Sequence, residues 1–185
     1  ADAVARDGQN AVVIDGRLRG GGLTDSAAYD ASAGWSDLHD DAPVGQALEV
    51  AVTADDPDAQ FLLSPAGSHR GASPRRFAAT LRRLVEQVRG PADLVLIDAP
   101  PLLDAPADVS AVARGADGLV VVLGPRVLAD ELAELQGRLE VLGVPLLGCV
   151  TVRASGLTQR LRDRHHERTR PQRVARAEVE VDQDS

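Results

Sequence analysis

The sequence predicts an α/β fold: a mostly parallel sheet, arranged in three layers with helices on its faces. Short continuous aliphatic runs recur along the chain, and longer amphipathic stretches separate them. The chain is 44% hydrophobic but only 2% aromatic, so Ala, Val and Leu must build the core. Unbroken aliphatic runs suit strands covered on both faces, and strand–helix alternation implies parallel crossover units.

Taken in order, Ala1–Asp7 reads as the end of a helix closed by Gly8. Ala11–Asp15 (AVVID), Phe61–Ser64 (FLLS), Leu94–Asp98 (LVLID), Leu119–Leu123 (LVVVL) and Leu146–Val152 (LLGCVTV) read as strands. Residues 20–60 are rich in Gly, Asp and Ala and are expected to be loop with short helices. Ser73-Pro74 offers an N-cap followed by Pro at the first helical position. Phe77, Leu81, Leu84 and Val88 then form one apolar stripe, and Gly90-Pro91 ends it. A short helix is expected over Ala107–Arg114. A longer one carries Leu128, Leu132, Leu135, Leu139 and Leu142 and stops at Gly143. One α/β domain over 1–153 is expected. An Arg-rich then acidic tail over 154–185, without aliphatic periodicity, is expected to be partly disordered.

The formal net charge of −8 argues against a nucleic-acid binder. Its distribution is uneven: residues 1–159 carry 13 Arg against 22 acids, and residues 160–176 carry 7 Arg against 2. All 20 basic residues are Arg, which excludes any mechanism needing a lysine of this chain. A lone Cys149 supplies neither a disulfide framework nor a metal cluster. The aliphatic runs are too short to span a bilayer.

Ligands of open parallel sheets sit at the carboxyl ends of the strands. Asp15 and Asp98 both stand at such ends, and a poorly solvated Asp there calls for a cation or donors, so both are candidate Mg²⁺ or water partners. His165-His166 reads as solvated tail, and His39 with Asp37, Asp40 and Asp41 as solvated loop. Ser64, Ser68 and His69 lack a nucleophile-elbow sequence. Trp35 is expected either to dock a partner or to pack on its own short helix.

The ordered set of motifs resembles one family. Ala11–Asp25 (AVVIDGRLRGGGLTD) is similar to the second acidic motif of the bacterial polysaccharide tyrosine autokinases, the Wzc and CapB type, within the MinD/ParA-type P-loop ATPases. Gly34–Leu38 (GWSDL), Leu63–Gly67 (LSPAG), Asp93–Pro101 (DLVLIDAPP), Ala116–Val122 (ADGLVVV) and Gly143–Gly148 (GVPLLG) follow in that family's order. The resemblance implies a P-loop NTPase-type sheet that uses ATP and Mg²⁺ through a Gly-rich loop bearing Lys and Ser/Thr. The chain is expected to start downstream of that loop, without its preceding strand.

Departures shape the functional expectation. Arg17 fills the place of a second Asp in the acidic motif, Val152 that of an adenine-facing Asn, and Tyr29 is the sole tyrosine. Asp15 and Asp98 are therefore expected as vestigial catalytic and metal positions. Arg17 and Pro100 are expected beside the nucleotide, and neither ATP nor Mg²⁺ is expected to be bound tightly. The implied role is a degenerate, non-catalytic autokinase-like domain regulating exopolysaccharide or capsule polymerisation and export. It would act in the cytoplasm at the inner face of the plasma membrane, with a membrane polysaccharide co-polymerase or transport protein, and self-association is a further expectation. The alternatives are part of an active autokinase whose P-loop lies upstream, or a MinD/ParA-type placement ATPase.

Overall fold

The computed structural model describes residues 1–17, 22–26, 34–38, 42–52, 58–68 and 74–152. Tyr29, His39, Asp40, Asp41, His69 and the 153–185 tail lie outside them. The chain divides into two compact units, the first running to Ala99 and the second beginning at Pro100.

The first unit holds α1 (Asp2–Arg6), β1 (Ala11–Asp15), α2 (Leu23–Ser26), β2 (Glu49–Val52), β3 (Gln60–Ser64), α3 (Pro74–Val88) and β4 (Leu94–Asp98). Its sheet runs β2-β3-β1-β4. β1 pairs in parallel with β3 on one side and β4 on the other, so this AVVID run is buried along its whole length. That is the arrangement its unbroken aliphatic character requires. On α3, Phe77, Leu81, Leu84 and Val88 are all buried, as the periodicity demands. Gly8 takes a φ of 74° where α1 ends, a turn few other residues tolerate.

β2 is an element the sequence reading assigned to loop. Its four residues (EVAV) pair antiparallel with β3, from Glu49 opposite Leu63 to Val52 opposite Gln60. The rest of that segment, where described, forms α2 and two 3₁₀ turns, Trp35–Asp37 and Val44–Ala47.

The second unit contains α4 (Pro106–Ala113), β5 (Leu119–Leu123), α5 (Ala129–Leu142) and β6 (Leu146–Thr151). β5 and β6 form a parallel pair joined through α5. Glu131 accepts a bond from the Leu128 amide (2.8 Å) at the start of α5, and Gly143 ends it in the left-handed region at φ 68°. Val120, Val122, Leu147 and Val150 are 57%, 65%, 70% and 50% exposed. The pair has a single ladder among the described residues.

Candidate functional site

Asp15 and Asp98 close neighbouring strands and are register partners, so both carboxylates stand at the carboxyl end of the sheet. Beyond the ladder the Gly16 amide still bonds the Asp98 carbonyl (2.9 Å). Gly16 permits that approach, because a Cβ there would stand 2.8 Å from the same oxygen. Ser64, which closes β3, adjoins Ile14 on the other side of β1.

The Asp15 carboxylate is 1% exposed and is taken up by its own chain. Oδ1 accepts the Arg17 amide (3.0 Å), while Oδ2 accepts the Thr24 amide (2.8 Å) and the Thr24 hydroxyl. Gly22 lies against this carboxylate so closely that any Cβ would run into it. The Thr24 hydroxyl accepts in turn from the Ala66 amide (3.2 Å), tying the loop after β1 to the loop after β3.

Trp35 completes the closure. Its indole Nε1 donates to the Asp15 carbonyl (2.8 Å), and its ring packs on Phe77 of α3, centroids 4.6 Å apart. The Trp35 and Ser36 amides donate to the Pro65 and Ala66 carbonyls (3.0 and 3.1 Å). Trp35 is wholly buried, its ring on Phe77 of α3. Asp37 is equally engaged: it accepts from the Gly34 amide (2.9 Å) and from the amide and hydroxyl of Ser68 (2.9 and 2.6 Å). The hydroxyls of Ser36 and Ser64 are buried without a hydrogen-bond partner among the described residues.

Asp98 differs from Asp15. Its carboxyl is held above the usual Asp value, chiefly by burial; Arg17 opposes the rise and the Asp15 charge adds to it. Arg17 Nε lies 3.5 Å from Asp98 Oδ2, with both side chains about a third exposed (31% and 33%). Pro100 opens the second unit and has no N–H to offer a ligand.

Of the predicted site residues, the fold brings Asp15, Arg17 and Asp98 together. Thr24, the Trp35 indole and the Ala66 amide were not foreseen. The three-residue step from Gly34 to Asp37 is a capping spacing and was the one local signal available. No group of three or more His, Cys, Asp or Glu side chains that could hold a metal exists among the described residues.

An ionised carboxylate has about four acceptor positions. Three of those on Asp15 are filled, and the group has almost no open surface. Mg²⁺ needs oxygen ligands at about 2.0–2.1 Å in near-octahedral geometry. The residues present do not fit such an ion bound to Asp15, and Asp98 already faces a guanidinium.

No protein-family model matches the chain, and no curated protein matches it significantly by sequence. Solved structures do match it. The BceF tyrosine kinase domain is 26% identical at a TM-score of 0.65, with 82% of this chain and 60% of that one covered. The kinase domain of the Escherichia coli tyrosine kinase ETK is 24% identical at 0.65, covering 83% and 61%. MinD cell division protein of Aquifex aeolicus is 17% identical at 0.56, covering 93% and 65%. The chain thus spans about three-fifths of the kinase domains it matches. Its mostly parallel α/β architecture is that of the bacterial tyrosine-kinase domains and of MinD.

Proposed function

We propose that this chain is a kinase-like ATPase-fold domain that acts by binding and regulation rather than by phosphoryl transfer. The observation that carries this is the state of Asp15, whose carboxylate holds the chain's own loops together instead of facing an open site. Catalysis of phosphoryl transfer depends on positioning and on charge neutralisation by metal and basic groups. A carboxylate occupied in this way supplies neither. The sequence resemblance to the polysaccharide autokinases supports a partner in exopolysaccharide or capsule export, a membrane co-polymerase or transport protein met at the inner face of the plasma membrane. Among the described residues no helix is long and apolar enough to cross a membrane.

Calorimetric titration with Mg²⁺-ATP tests this reading. Affinity no tighter than about millimolar, roughly −4 kcal/mol, is expected. Micromolar binding abolished by EDTA would overturn it. A second reading has its own support: the chain spans only 60% of the BceF kinase domain, so the phosphate-binding loop of an active autokinase could lie upstream. A longer chain carrying the upstream residues and showing EDTA-sensitive ATP hydrolysis would select that reading.

A further inference from the structure

We infer that Arg17 is a built-in cation, its guanidinium taking the place between the carboxylate-ended strands β1 and β4 where a divalent ion would otherwise sit. The inference rests on the reading of the site as closed to metal and extends it to what replaces the metal. Asp15 and Asp98 are register partners on adjacent strands, whose axes lie about 4.8 Å apart. Two carboxylates at that spacing, one deeply buried and the other partly so, repel each other unless a cation stands by them or one takes up a proton.

The donors around Asp15 are neutral: two amides and a hydroxyl. They satisfy its hydrogen bonds without cancelling its charge. Arg17 brings the positive charge, and the chain fixes where it starts. Its amide is bonded to Asp15 Oδ1, a two-residue turn that anchors the arginine backbone against the first carboxylate. From there the side chain reaches the second, Nε standing 3.5 Å from Asp98 Oδ2. One residue therefore touches both acids, through its backbone and its side chain. A guanidinium stays charged at every physiological pH, so this cation is never lost by dilution or chelation, as a bound ion would be. Its charge also disfavours entry of a second cation.

Mn²⁺ alone, without nucleotide, is the probe, read by the electron paramagnetic resonance of the free ion. Wild type is expected to leave the Mn²⁺ signal unchanged, whereas Arg17→Asp presents two carboxylates and should bind Mn²⁺ at least about tenfold more tightly. Adding Asp98→Asn to that variant should remove the gain. Trp35 fluorescence reports whether each variant keeps its fold. Where Arg17→Asp does not fold, Arg17→Gln serves instead: Mn²⁺ should raise its melting temperature and leave that of wild type unmoved. Wild-type binding of Mn²⁺ that Asp98→Asn abolishes would overturn the inference, as would a folded Arg17→Asp or Arg17→Gln indifferent to Mn²⁺. Failure of the non-catalytic reading is distinguishable. Wild type that binds Mg²⁺-ATP yet ignores free Mn²⁺ would sink that reading and leave this one standing.

Discussion

Replacing Thr24 with Val removes one hydroxyl and keeps the side chain's shape, which isolates the polar link between the loops after β1 and β3. Thr24 is 5% exposed, so water cannot replace what is lost. The hydroxyl makes two bonds, donating to the Asp15 carboxylate and accepting from the Ala66 amide. Losing a hydrogen bond to a charged group costs about 1.5–3 kcal/mol, and leaving the buried amide unpaired costs about 1–3 more. The added methyl returns about 0.8 kcal/mol of burial. The net expectation is a loss of about 2–5 kcal/mol, a large part of a typical total stability of about 5–15. Thr24→Ser keeps the hydroxyl and drops a methyl, so it should lose only about 1 kcal/mol. Urea unfolding followed by Trp35 fluorescence measures both. The more hydrophobic variant should be the less stable one. A Thr24→Val protein as stable as Thr24→Ser would refute the link.

Three further outcomes follow from the same geometry. Gly22→Ala places a Cβ against the Asp15 carboxylate and should lower stability by about 1–3 kcal/mol in the same urea assay; an unchanged midpoint would show that the loop is not pressed on Asp15. Because burial raises the Asp98 pKa above 3.8, the folded state holds that proton more tightly than the unfolded one. Its contribution to stability is therefore fully present below pH 3.8 and is lost as pH rises through the folded value. The stability of wild type relative to Asp98→Asn should fall across that range, and Arg17→Gln should carry the Asp98 titration, followed by carboxyl NMR, to still higher pH. An Asp98 that titrates at or below 3.8 would contradict both.

The parts of this fold that local chemistry dictates were legible in advance. β1, β4 and β5 begin and end where their aliphatic runs do, and α5 stops at the glycine that closes it. β2 was not legible, because EVAV is short and owes its strand conformation to a partner, β3, supplied by the fold. The same division holds at the site. Asp15 and Asp98 could be picked out as charged residues at strand ends and Arg17 through the resemblance, and the three do converge. The sequence suggested Asp15 as a metal position, but whether an acid at a strand end faces solvent or its own loops depends on distant residues. Thr24, Trp35 and Ala66 become its surroundings only through the pairing of β1 with β3 and the packing of Trp35 on α3.

The bonds that close the site span 9, 20, 31 and 42 residues of chain: Thr24 to Asp15, Trp35 to Asp15, Ser68 to Asp37, and Ala66 to Thr24. Each requires a loop to be closed before the bond can form, and closure entropy grows with loop length. Contacts of long sequence separation slow the search for the native state. The helical stripe of α3 can form locally, whereas the closed ring around Asp15 waits until β1 and β3 lie side by side. The site is thus a late product of folding. A chain arrested early would hold helix and paired strands yet leave the Asp15 carboxylate in water, and a chain that has buried that carboxylate has already brought its distant segments into place.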